Sequence, residues 1–120
     1  HFVVTNESQV HENYKDMIIK ARDIDSRVTG RSTGHPVRAL RNQMTKEYLK
    51  KEQEGAPFEE LELLTLGGLR RAVVDGDVKT GSVMAGQIAG MVKEKMSCHD
   101  LIQKLVKETD DLIGGKGFYE

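Results

Sequence analysis

Cysteine occurs once in this sequence, at Cys98, so an internal disulfide is excluded and a reducing compartment fits. No apolar run approaches the roughly 18–20 residues that a bilayer span needs. The opening residues, HFVVTNES, lack the charged start and long apolar stretch of a secretory leader, and the expected location is cytoplasmic. Charge of one sign is not in excess. Eighteen Lys and Arg against 19 Asp and Glu leave a net charge of −1, and no global field selects nucleic acid or an anionic membrane. The four histidines, His1, His11, His35 and His99, have no metal-ligand spacing, and no metal site is expected. Internal repeats and low-complexity tracts are missing too.

What is present fits one ordinary domain: 120 residues, 38% hydrophobic and 31% charged. The segment HFVVT is a strand pattern already under way, and Ile24–Thr29 is a second short candidate. One strand pair alone is marginal in water, so we expect a piece of something larger, its sheet lying upstream of His1. The remaining pattern is mostly α. Ser8 is a candidate N-cap for a helix over 9–21, with Tyr14, Met17, Ile18 and Ala21 on its apolar face. Residues 22–36 read as extended or loop. Pro36 suits the first position of a helix running to about Glu54, with Val37, Leu40, Met44 and Leu49 on one side. Further helices are expected over Phe58–Leu66, Leu69–Val74 and Ser82–Lys95. The last helix follows the Ser97/Asp100 capping pattern, carries the clearest amphipathic stripe in the chain, and ends at Gly114-Gly115. The tail GKGFYE reads as loose. Charge is uneven: residues 20–51 hold nine Lys/Arg against three acids, and residues 52–64 hold five Glu and no base.

Few constellations suggest chemistry. His35 lies in a glycine-bounded loop beside Arg31, Ser32 and Arg38. The whole stretch GRSTGHPVR can hold an anion through backbone N–H groups and guanidinium forks, or be a solvated basic loop. Cys98, at a helix start, fits packing better than nucleophilic catalysis. DGDVKTGS lacks the ligand positions of a calcium loop. In GSVMAGQIAG, a helix starting near Ser82 places Gly86 and Gly90 on one face with Ala85 and Ala89 beside them. Such a flat face admits another backbone or a planar ligand, and Ser82 and Gln87 supply polar groups at its edge.

At HFVVTNES with the following H..YK, at TGRSTGHPVRALRN and at AVVDGDVKTGSVMAGQIAG, the chain resembles the C-terminal third of the FMN-dependent enoyl-acyl-carrier-protein reductases II, siblings of the nitronate monooxygenases. The resemblance implies a (β/α)₈ TIM barrel parent holding FMN at the C-terminal ends of its strands. It implies that residues 1–21 are the end of the last strand and its helix, 22–78 a helical cap, 79–113 helices returning to the barrel, and 114–120 a flexible tail. It implies FMN contact from Ser82, Met84, Ala85 and Gln87. Arg31, His35, Arg38 and Asn42 would face the substrate or NAD(P)H cleft. No catalytic residue is expected in this segment, which alone would be inactive.

The expected function is therefore part of an NAD(P)H-dependent enoyl reductase of bacterial fatty-acid elongation. Its partners would be the rest of the barrel and an acyl-carrier-protein-linked enoyl substrate, with a possible homodimer. Two alternatives stay open: a nitronate monooxygenase, and a free-standing helical interaction module using its basic 20–51 surface.

Overall fold

Local capping chemistry starts most of the helices in the computed structural model, which describes residues 1–114. Helix α1 (Glu12–Lys20) begins at His11, whose Nδ1 accepts from Asn13 N at 3.0 Å. Ser8, the expected cap, lies outside the helix. Tyr14 and Ile18 of α1 are buried, and the Tyr14 hydroxyl donates to the Met84 carbonyl at 2.6 Å. Burial pushes that hydroxyl's pKa up.

Strands β1 (Ser26–Thr29) and β2 (Val37–Leu40) form an antiparallel hairpin, with Ser26 opposite Leu40 and Thr29 opposite Val37. Its loop contains a 3-10 turn, Arg31–Thr33, and Gly30 enters it with φ +82. A Cβ at Gly30 would also lie 2.7 Å from the His35 carbonyl, so the hairpin requires glycine there. Residues 37–40 were expected in a helix beginning at Pro36. Instead they pair with β1, and helix α2 (Gln43–Gln53) starts only where Asn42 provides a reciprocal capping box with Thr45. Helices α3 (Phe58–Thr65) and α4 (Gly68–Val73) fall close to their expected bounds.

The expected helix over Ser82–Lys95 does not form. Leu40 N donates to the Val83 carbonyl at 2.8 Å, Ala85 N to the Arg38 carbonyl at 3.4 Å, and Ala39 bridges Met84. Residues 82–85 thus run extended along the free edge of β2. Edge pairing satisfies backbone groups that a helix would satisfy locally, and it buries Val83 completely. A short 3-10 helix, Gln87–Met91, follows. Gly86 is extended, so no flat helical glycine face exists. A Cβ at Gly90 would lie 2.6 Å from Asp23 Oδ1 and 2.7 Å from Asp23 N, a close approach to the chain leaving α1.

The strand expected at HFVVT is a 3-10 turn, Phe2–Val4. Among the described residues no strand lies beside it, and Thr5 N closes back on the Phe2 carbonyl at 3.2 Å. Lys15, almost fully buried, donates from Nζ to the Thr5 and Ser8 carbonyls at 2.8 and 3.0 Å and fastens this segment to α1. Helix α5 (Cys98–Leu112) starts at Ser97, whose side chain accepts from Asp100 N at 3.1 Å; Cys98 N donates to the Glu7 carboxylate at 2.8 Å. The expected tail over 115–120 lies outside the described residues.

The main core gathers Val4, Tyr14, Ile18, Leu40, Ala72, Val83 and Val92. A smaller one joins α2 and α3 through Met44, Tyr48 and Leu61. Helices dominate the regular structure, and none described is long and apolar enough to cross a membrane.

Candidate functional site

Between the hairpin and the two-helix core lies a cleft of about 360 Å³. One wall is the hairpin, with Thr29, Val37 and Ala39. The opposite wall comes from α2, α3 and α4, with Tyr48, Phe58 and Leu69. The extended Ser82–Met84 segment closes the end. The hairpin positions this wall because alternate residues of a strand face the same side, so Val37 and Ala39 point together. Met84 reaches the cleft because its backbone bridges Ala39 and its carbonyl is held by Tyr14.

The cleft's polar lining is Thr33, His35, Glu62 and Thr65, together with the buried Thr29, Tyr48 and Ser82. The Tyr48 hydroxyl is pushed up in pKa, first by burial and then by the nearby Glu52 carboxylate, so it stays a neutral phenol. No lysine or arginine lines the cleft among the described residues. The lining therefore suits an apolar chain or the edge of a flat ring with one or two polar groups. It does not suit a phosphate, which needs cations or a run of free N–H groups.

His35, Ser82 and Met84 meet in this cleft. The other expected site residues do not join them. Ala85 packs against the main core, and Gln87 is exposed at the start of the Gln87–Met91 3-10 helix. Arg38 directs Nη1 to Ser26 Oγ at 2.9 Å. Asn42 caps α2 and donates from Nδ2 to the Val78 and Gly81 carbonyls at 2.9 and 2.8 Å, leaving no amide hydrogen for a ligand. Arg31 lies on the far side of the 3-10 turn, in a separate open groove with Lys46 and Lys50.

Tyr48, Phe58, Glu62 and Leu69 escaped the sequence reading, because each sits on a helix where it reads as ordinary packing or solvated surface. Phe58, directly after a proline and half exposed, was the one available signal. Among the described residues no three His, Cys, Asp or Glu side chains cluster to hold a metal.

Known proteins give this geometry a context. The family model for nitronate monooxygenase matches residues 1–108. A probable nitronate monooxygenase of Bacillus subtilis is 25% identical over 107 residues, covering 89% of this chain and 31% of the relative. The solved structure of FabK from Thermotoga maritima superposes with a TM-score of 0.87 at 39% identity, covering 93% of this chain and 35% of FabK. A methionine-to-alanine variant of that FabK gives a TM-score of 0.75 at 35% identity. The chain thus spans about a third of the length of each of these relatives. With a match across nearly its whole length, the chain belongs to the nitronate monooxygenase family.

Proposed function

We propose that this chain is part of an FMN-dependent oxidoreductase of the enoyl-acyl-carrier-protein reductase II type, in which it supplies the cap and one wall of the substrate cleft. The observation that carries this is the likeness to FabK, 39% identity at a TM-score of 0.87, against 25% identity to the probable nitronate monooxygenase. The cleft's chemistry agrees. Its apolar lining and missing cations fit an acyl chain, or the hydrocarbon edge of the flavin, and not the FMN phosphate. When bound, FMN supplies the hydride relay between NAD(P)H and the enoyl thioester.

The chain's own residues orient and dehydrate the substrate. Val37, Ala39 and Leu69 exclude water from the acyl path. Met84 and Ser82 close its inner end, and His35 offers a hydrogen bond at the rim. Nitronate oxidation is the second reading, supported by the family match over 1–108 and by the Bacillus relative. The complete protein that carries this chain, purified with its flavin, separates the two. We expect NAD(P)H consumption with a crotonyl thioester and little turnover of propionate 3-nitronate. The reverse pattern assigns the nitronate activity.

A further inference from the structure

Residues 20–51 are strongly basic; seven of their nine cations fall into two groups, while Lys20, at the end of α1, and Arg27, on β1, belong to neither. Arg22 and Arg41 both reach Asp25, Lys51 reaches Glu60 at 2.6 Å, and Arg38 reaches Ser26. Arg31, Lys46 and Lys50 have no carboxylate within 4 Å among the described residues, and all three are exposed. They converge on one open groove of about 680 Å³, with Leu49 half-buried in it. Among the described residues the only carboxylate lining that groove is Glu52, which already accepts from Ser32 N at 3.1 Å and Ser32 Oγ at 2.6 Å. Glu52 thereby holds the Arg31–Thr33 turn in place.

That turn joins the groove to the cleft. Arg31 and Ser32 line the groove, while the next residue, Thr33, lines the cleft together with His35. A partner resting on the groove therefore lies one turn of backbone from the cleft mouth. Converging exposed cations around an apolar spot complement an acidic protein surface, and such charges act mainly on encounter and register.

We propose that the Arg31–Lys46–Lys50 groove docks the acidic face of a carrier protein, which passes its thioester-linked acyl group over the Arg31–Thr33 turn into the cleft. This rests on the enoyl reductase reading above and adds the surface on which the carrier sits. Of the residues expected to face the cleft it keeps Arg31 and adds Lys46 and Lys50 of α2, while Arg38 and Asn42 have their side chains engaged within the fold.

The test uses the complete enzyme and one enoyl group on two supports, an acyl carrier protein and the uncharged thiol N-acetylcysteamine. The double variant Lys46→Glu/Lys50→Glu is expected to raise KM for the carrier-linked substrate about tenfold at unchanged kcat, and to leave KM for the small thioester unaltered. An unchanged KM with the carrier overturns the proposal, and so does an equal rise for both substrates. A rise in KM for NAD(P)H instead makes the groove a dinucleotide site and also overturns it. Should the charge reversal fail to fold, the native enzyme reads the same contact through salt. KM for the carrier-linked substrate should climb with ionic strength while that for the small thioester stays flat, and two flat responses overturn the docking. A native enzyme that turns over neither thioester refutes the reductase reading itself, an outcome distinct from all of these.

Discussion

At the scale of single residues, Asn42 carries more of the fold than its place beside a basic loop suggests. Its Oδ1 accepts from Thr45 N at 2.9 Å, its backbone N–H donates to Thr45 Oγ1 at 2.8 Å, and its Nδ2 ties down two carbonyls of the 78–81 loop. That loop sets where the Ser82–Met84 wall begins. Losing the cap costs about 1 kcal/mol, and each abandoned carbonyl adds about 1 kcal/mol where water cannot replace the donor. Asn42→Ala in the complete protein should therefore lower stability by about 2–3 kcal/mol, read from the urea midpoint. Asn42→Ser should keep a capping oxygen and lose only the two donated bonds, so it should fall between. If Asn42→Ala instead leaves the midpoint in place and raises KM for NAD(P)H, the side chain faces ligand after all.

At the scale of elements, the glycines of GSVMAGQIAG separate two structures. As a helix, Gly86 and Gly90 would be equivalent neighbours on one face. In the extended-then-3-10 path, Gly86 has nothing within 4 Å of a Cβ, whereas Gly90 abuts Asp23 and the Arg22 carbonyl carbon. Gly86→Ala, at φ −78, should be neutral or stabilise by up to about 1 kcal/mol through the unfolded chain. Gly90→Ala must push backbone apart and should cost about 1–3 kcal/mol. Equal costs at both positions, measured by thermal unfolding, would restore the helix. The same segment explains what sequence could convey. Helices α3, α4 and α5 were legible because their signals are local: Pro57 before α3, Gly67 before α4, Ser97 before α5. The stretches 37–40 and 82–85 were not, because each is extended only through its distant partner, β1 for one and the edge of β2 for the other. A helical spacing of apolar residues says nothing of such a partner. The candidate cleft divides the same way. His35, Ser82 and Met84 stand out in their motifs, while Tyr48 and Leu69 acquire their role only when α2 and α4 are folded across the hairpin.

At the scale of the whole molecule, the surface is too large for the mass. A 13.4 kDa chain folded as a self-contained globule exposes about 6,500 Å², but this one exposes 7999 Å². Its radius of gyration is 17.1 Å, where about 14 Å is usual for this length. The excess includes large apolar side chains: Phe2 is 51% exposed, Met91 73%, Ile102 48% and Val106 55%. Several of them belong to elements that border a second cavity of about 350 Å³, between the Phe2–Val4 turn, the Gln87–Met91 helix and α5. The stripe on α5 is the strongest amphipathic pattern in the sequence, yet of its residues only Leu101 is fully buried. Patches of that kind on a soluble chain are seats for other protein surface, and relatives about three times as long have further chain to fill them. The 120-residue chain produced alone should therefore bind the dye ANS, melt over a broad range, and copurify without yellow flavin. The complete protein should be yellow and dark to the dye. A single sharp unfolding transition with no dye binding from the isolated chain would instead mark a self-sufficient module, and would detach the cleft and its basic groove from any flavin chemistry.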